Sequence, residues 1–143
     1  MKCLKGETIM KSCGLTLLSL IFLFGCAMDQ ATLKKAEEQY RASIPKCSSE
    51  NECREMWTAA QTWVSKNTHF KIYSITDSLI RTYDPPTGCG SLGYKITKES
   101  LGSGKNRFII ESICRSFFGC SNPYPVDAAL DFNNYLSRYS KTQ

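Results

Sequence analysis

The strongest constraint on this fold is the cysteine pattern between positions 47 and 120. Cys47, Cys53, Cys89, Cys114 and Cys120 fall in one stretch of a 143-residue chain that holds eight cysteines. That density suits an oxidising compartment, where a small domain gains from covalent staples. Structural zinc calls for closer Cys-x2-Cys spacing and more imidazoles. Here the short spacings are Cys47-x5-Cys53 and Cys114-x5-Cys120, and His69 is the one histidine. A bridge within each short spacing would contribute roughly 2–3 kcal/mol in the chain-entropy account. Spacing does not prove connectivity, and a cross-pairing of Cys53 with Cys114 stays open. With both local bridges formed, Cys89 would be the odd cysteine, on a glycine-rich loop, as a reactive, intermolecular or merely buried thiol.

The other three cysteines lie near the N-terminus. Residues 15–24, Leu-Thr-Leu-Leu-Ser-Leu-Ile-Phe-Leu-Phe, are a ten-residue apolar run. It is shorter than the ~20 residues of a bilayer-spanning helix. Preceded by Lys2 and Lys11 and followed by Gly25, it has the three regions of an export signal. Leu23-Phe24-Gly25-Cys26 resembles the lipobox of bacterial lipoproteins, with Leu three places before the cysteine and Gly directly before it. Phe24 is bulkier than that pattern favours. The resemblance implies cleavage between Gly25 and Cys26 and lipidation of Cys26 by processing enzymes. Two or three acyl chains then hold the protein, because one chain anchors only marginally. Ala27 follows, where an Asp would signal inner-membrane retention, so an outer-membrane anchor facing the periplasm is expected. Met10 would serve equally well as the start.

Setting aside Lys2, Lys5, Lys11 and Glu7 lowers 18 basic and 13 acidic side chains to 15 and 12, a net of +3. With no dense basic run, a nucleic-acid partner is not expected.

The chain thus divides into a signal peptide (1–25), a lipidated cysteine and polar tether (26–46), and one disulfide-stapled domain (47–143). Within the tether, Leu33–Arg41 has a helical cast with mixed charges. Ser49 with Glu52 has the capping-box form, and Met56, Ala60 and Trp63 follow at helical spacing, with Asn67 as a stop. The period then becomes two. Phe70 to Ile75 and Leu79 to Tyr83 form a hairpin, or one strand bulged at Asp77. Asp84 to Gly90 is a loop, since two prolines and two glycines oppose regular structure. Leu92, Tyr94 and Ile96 alternate, 101–106 turns, and Phe108 to Cys114 is another strand. Asn122-Pro-Tyr-Pro opens a last helix bearing Val126, Ala129, Leu130, Leu136 and Tyr139, with Asp127 at its positive end. The expected fold is α+β, an antiparallel sheet of three to four strands with two amphipathic helices on one face.

No catalytic signature accompanies this. Gly102-Ser-Gly-Lys105 fails the phosphate-loop pattern because position 99 is Glu and position 106 is Asn. Asp77, Asp84, Glu99 and Glu111 fit turns and exposed strand positions. A thiol enzyme pairing Cys89 with His69, or a small-ligand carrier, stand as alternatives. No metal or cofactor is implied. The run Cys53-Arg-Glu-Met-Trp57-Thr-Ala-Ala-Gln-Thr-Trp63-Val, then Thr76-Asp77, Thr82-Tyr83, Cys114…Cys120 and Phe132-Asn133, is similar to a family of small exported proteins and lipoproteins of Gram-negative bacteria. That resemblance covers about residues 47–139 and implies export and the two local bridges, but no activity. The reading is an anchored, non-enzymatic binding or assembly module with another envelope protein as partner. An exposed apolar patch around Trp63, Tyr94 or Tyr124 would mark its contact surface.

Overall fold

The computed structural model describes residues 30–140. The leader, the Gly25–Cys26 processing site and residues 27–29 of the tether lie outside them. Five strands form one antiparallel sheet in the order β1-β5-β4-β3-β2. They are β1 (Lys46–Cys47), β2 (Ile72–Ile75), β3 (Leu79–Thr82), β4 (Gly93–Gly102) and β5 (Lys105–Ile113). Three helices accompany them: α1 (Gln30–Ser43), α2 (Glu50–Asn67) and α3 (Pro125–Ser137). The α+β class therefore holds, with one strand and one helix beyond those expected. Both extras arise upstream: the helix over the Leu33–Arg41 stretch already read as helical, now Gln30–Ser43, and a two-residue strand too short to carry a period.

Strand alternation decides what the sheet buries. Ile80, Tyr94, Ile96, Phe108 and Ile110 point to one face and are buried there. Helix α2 lays Met56, Trp57, Ala60, Trp63 and Val64 on that face, and α3 adds Ala128, Ala129, Phe132 and Leu136. Trp63 is the hub. Its ring meets Tyr94 at 5.1 Å and Phe132 at 5.3 Å, both edge-on, and its Nε1 donates to Asp131 Oδ2 at 2.7 Å. Edge-on aromatic pairs add about 0.5–1.5 kcal/mol beyond burial. In α3 the inward stripe is set by Ala129, Phe132 and Leu136, while Val126 and Tyr139, expected on that side, are exposed.

The opposite face carries ions. Lys95 faces Glu111 in register and pairs with it at 2.8 Å, and Arg107 likewise holds Glu99 at 2.7 Å. Thr97 and Ile109 lie between the two pairs.

Ser49 caps α2 as expected, accepting from the Glu52 N–H at 3.4 Å. The reciprocal arm is displaced by one residue. The buried Glu52 carboxylate accepts from Ser48 N and Ser48 Oγ, each at 2.7 Å, and from Ser140 Oγ at 3.2 Å. One carboxylate thus joins the start of α2 to the end of the described chain. Between β2 and β3, Thr76 Oγ1 accepts from the N–H groups of Ser78 and Leu79, making a tight hairpin. The irregularity lies between Ile72 and Ser74, not at Asp77.

The stretch read as a tether joins the domain before residue 47. Pro45 is buried, its carbonyl accepts from Phe108 N, and β1 pairs with β5. Tyr40 donates to the Ile110 carbonyl, and Ser43 Oγ accepts from Asn133 Nδ2. Upstream, Lys34, Lys35, Glu37, Glu38 and Gln39 are exposed, as a solvated face should be.

Candidate functional site

Chain direction divides the sheet into two ends. The tight turns at 76–78 and 102–105 share one end. The other end gathers the segments 68–71, 83–92 and 114–124, because Tyr83 follows β3, Gly93 begins β4, and Ile113 ends β5 opposite Gly93. This loop end holds most of the exposed apolar surface. Of nine large exposed hydrophobic side chains among the described residues, four lie in these segments, Tyr83, Phe117, Phe118 and Tyr124, and two more, Tyr73 and Val126, stand at the starts of β2 and α3 beside them. Leu101, Ile75 and Tyr139 are the three elsewhere.

Phe117 and Phe118 stand out at 87% and 102% exposure. Their display follows from local chemistry. Cys114 and Cys120 are disulfide-bonded with a sequence separation of 6, so the ring between them is too small to fold onto the core. Gly119 supplies the left-handed backbone (φ 78°) that turns the chain back, and its N–H reaches Ser116 O at 3.2 Å. The base is fixed: Arg115 O accepts from Gly88 N at 2.7 Å, and Cys120 Sγ packs 3.9 Å from the carbonyls of Cys89 and Ser91. A bonded sulfur has no proton, so these last are packing contacts. A rigid base thus carries an apolar tip.

The neighbouring 83–92 segment is held by Thr82 and Gly93. Thr82 Oγ1 accepts from Tyr94 N at 2.9 Å and donates to Tyr83 O at 3.1 Å, ending the regular ladder. A Cβ on Gly93 would lie 2.9 Å from Pro85 Cδ and 3.1 Å from Thr82 Oγ1, so the loop needs that glycine. Beside it Tyr73 and Tyr83 meet edge-on at 5.2 Å.

The sequence-derived candidates sort clearly. Cys47–Cys53 and Cys114–Cys120 are both bonded, which removes the cross-pairing of Cys53 with Cys114. Cys89 requires a correction. It is 3% exposed and disulfide-bonded, so it presents no thiolate at a loop surface. The partnership of Cys89 with His69 accordingly lacks its nucleophile. Of the three aromatics expected in a surface patch, Trp63 and Tyr94 are core residues at 2% and 1% exposure, and only Tyr124 is exposed. Burial raises the Tyr94 phenol above its ordinary range, with the Asp131 charge adding to it. Gly102 and Gly104, both left-handed, build the β4–β5 turn. Asp77 sits in the hairpin turn, Asp84 pairs with Arg81 at 3.2 Å, and Glu99 and Glu111 form the open-face pairs. Among the described residues, no three His, Cys, Asp or Glu side chains converge as metal ligands, and no helix is long and apolar enough to cross a membrane.

Sequence reading missed Phe117 and Phe118. The available signal was a Phe-Phe pair between cysteines five residues apart, a ring too tight to bury both.

No family model, curated protein or solved structure matches this chain.

Proposed function

We propose that this chain is a lipid-anchored envelope protein whose folded part is a non-enzymatic contact or assembly module. The observation that carries the anchor is Leu23-Phe24-Gly25-Cys26 directly after a short apolar run. The two local disulfides support an oxidising compartment, and the outer membrane facing the periplasm is the expected location. The contact role is supported by where apolar surface lies, in an aromatic-rich end and not around a set of converging polar groups.

Sulfur chemistry sharpens the test. One sulfur cannot be both a thioether to lipid and half of a disulfide, so acylation of Cys26 and a bond between Cys26 and Cys89 exclude each other. Intact mass and non-reducing peptide mapping of membrane-extracted protein address this together. The expected product begins at Cys26 and carries acyl chains, both features lost in Cys26→Ser. Native protein with residues 1–25 still attached, or a peptide linking Cys26 to Cys89, would overturn the anchor. Cross-linking of the intact envelope then identifies any protein held at the domain surface.

A further inference from the structure

We infer that the loop end of the domain is a second membrane contact, with Phe117 and Phe118 seated in the headgroup–acyl boundary of the bilayer that holds Cys26. This rests on the lipid-anchor reading and deepens it.

The first argument is direction. Traced backward from Cys47, the chain passes β5 at Asn106 (opposite Cys47) and at Phe108 (whose N–H donates to the Pro45 carbonyl), and the Tyr40 hydroxyl, at the end of its side chain, donates to the Ile110 carbonyl. It therefore runs toward the end of β5 from which the Cys114–Cys120 loop emerges. Helix α1, with 14 residues and a length of about 21 Å, precedes this stretch. The second argument is reach. Cys26 precedes Gln30 by four residues, which span at most ~14 Å when fully extended. A lipid on Cys26 therefore holds the start of α1 close to the bilayer.

The third argument is what that end offers. Tyr83 and Tyr73 lie by β3 and β2, two and three strand positions across the sheet from the loop after β5, about 10 and 14 Å at the usual strand spacing. Phe117, Phe118 and Tyr124 continue this belt on the far side. Phenyl tips with tyrosines behind them suit a layer that is greasy inside and wet outside. Exposed Arg115, next to the tip, is placed for lipid phosphate. A protein pocket would accept one protruding Phe, but a spread belt beside an anchor point fits a flat bilayer better.

The experiment uses membrane-extracted, full-processed protein in vesicles of phosphatidylethanolamine and phosphatidylglycerol at about three to one, a composition with the anionic charge that attracts arginine. Phe117→Trp places a reporter at the tip, and Leu101→Trp places one at the turn end. The buried Trp57 and Trp63 supply a common background. Lipids brominated near the glycerol end of the acyl chain should quench the added Phe117→Trp emission at least twofold while aqueous acrylamide leaves it largely intact. Leu101→Trp should behave oppositely. Phe118→Ser in the Phe117→Trp background should weaken the lipid quenching. A Phe117→Trp reporter open to acrylamide and untouched by brominated lipid overturns the proposal, as does one shielded from both, the signature of a protein pocket. The mass of the same preparation shows separately whether Cys26 is acylated, so failure of the anchor and failure of the loop contact are distinguishable.

Discussion

The indole of Trp63 ties α2, α3 and the sheet together, and a double-mutant cycle with Asp131 measures how much of that tie is polar. Trp63 is 2% exposed and its Nε1 lies 2.7 Å from Asp131 Oδ2. Trp63→Phe keeps an aromatic ring between Tyr94 and Phe132 but removes the pyrrole portion. That portion, roughly 35 Å3, costs about 0.8 kcal/mol as residual cavity, and lost transfer energy and the hydrogen bond bring the total to about 2.5 kcal/mol. Asp131→Ala leaves the indole N–H without its acceptor in a mostly buried site, for about 1.5 kcal/mol, less a few tenths for alanine's better helix propensity. The propensity term occurs in both arms of the cycle and cancels. The double variant should lose about 3 kcal/mol instead of the additive 4, a coupling near 1 kcal/mol that lies at the modest end because Asp131 is solvent-exposed. Urea unfolding followed by far-ultraviolet circular dichroism, with disulfides intact, avoids relying on the tryptophan being altered. Additivity within 0.3 kcal/mol would refute the polar tie and leave packing alone to explain why Trp63 sits where it does.

Four further outcomes follow from the same geometry. Both described local disulfides have a sequence separation of 6, so chain entropy gives about 2.4 kcal/mol for each. Cys47→Ala/Cys53→Ala should nevertheless cost more than Cys114→Ala/Cys120→Ala, since Cys47 and Cys53 are both buried while Cys114 is only partly so; equal denaturation midpoints would contradict this. Opening the Cys114–Cys120 ring should also make the Phe117–Phe118 bond a preferred chymotrypsin site at low protease, and an unchanged digestion rate would argue that the loop holds its shape without the bridge. Gly93→Ala should lower stability by about 1–3 kcal/mol, because its Cβ meets Pro85 at 2.9 Å; calorimetry showing no loss would mean the 83–92 segment shifts freely. Finally, Tyr94 and Tyr40 are both raised from about 10, chiefly by burial and then by Asp131 and Glu111 respectively. Their neutral forms are favoured by the fold, so this contribution is fully present below pH 10 and is lost as pH rises through the raised native values. The melting temperature should fall in that alkaline window, and less steeply in Tyr94→Phe.

The sequence disclosed elements wherever periodicity was strong and burial one-sided. Ser49, Met56, Ala60 and Trp63 announce α2 because a cap and a stripe agree, and Tyr94, Ile96, Phe108 and Ile110 announce β4 and β5 because alternation persists. It could not disclose β1, whose two residues carry no period and exist as a strand through their pairing with Arg107 and Asn106. Nor could it phase α3 correctly, because Val126 and Leu136 are equally apolar on paper and only packing against Trp63 chooses Phe132 as the centre. The surface patch was misassigned for a related reason. Aromatic content marks both cores and contact surfaces, and topology alone sends Tyr94 inward and Phe117 outward. Cys89 shows the same limit, since a glycine-rich neighbourhood suggested exposure while its loop folds against the Cys114–Cys120 bridge.

Why contact should concentrate at one end follows from how the rest of the surface is closed. The uncovered sheet face would be a natural docking plane, but Lys95–Glu111 and Glu99–Arg107 span it in register, and desolvating four charges there would oppose an apolar partner. The two edges are also blunted. One consists of the two-residue β1, stapled to α2 by Cys47–Cys53, and the other, β2, is broken by the irregularity after Ile72. On the helical side, Trp57 is screened by Lys98 at 5.1 Å, and α1 lies over part of α3. The turn end has left-handed glycines and two exposed apolar side chains, Leu101 and Ile75, against the six at or beside the loop end. What remains is the loop end, where a small ring holds two phenyl groups in water that no element of this domain covers. Holding apolar side chains out is costly unless something receives them, which is why a contact surface is sought at this end of the domain.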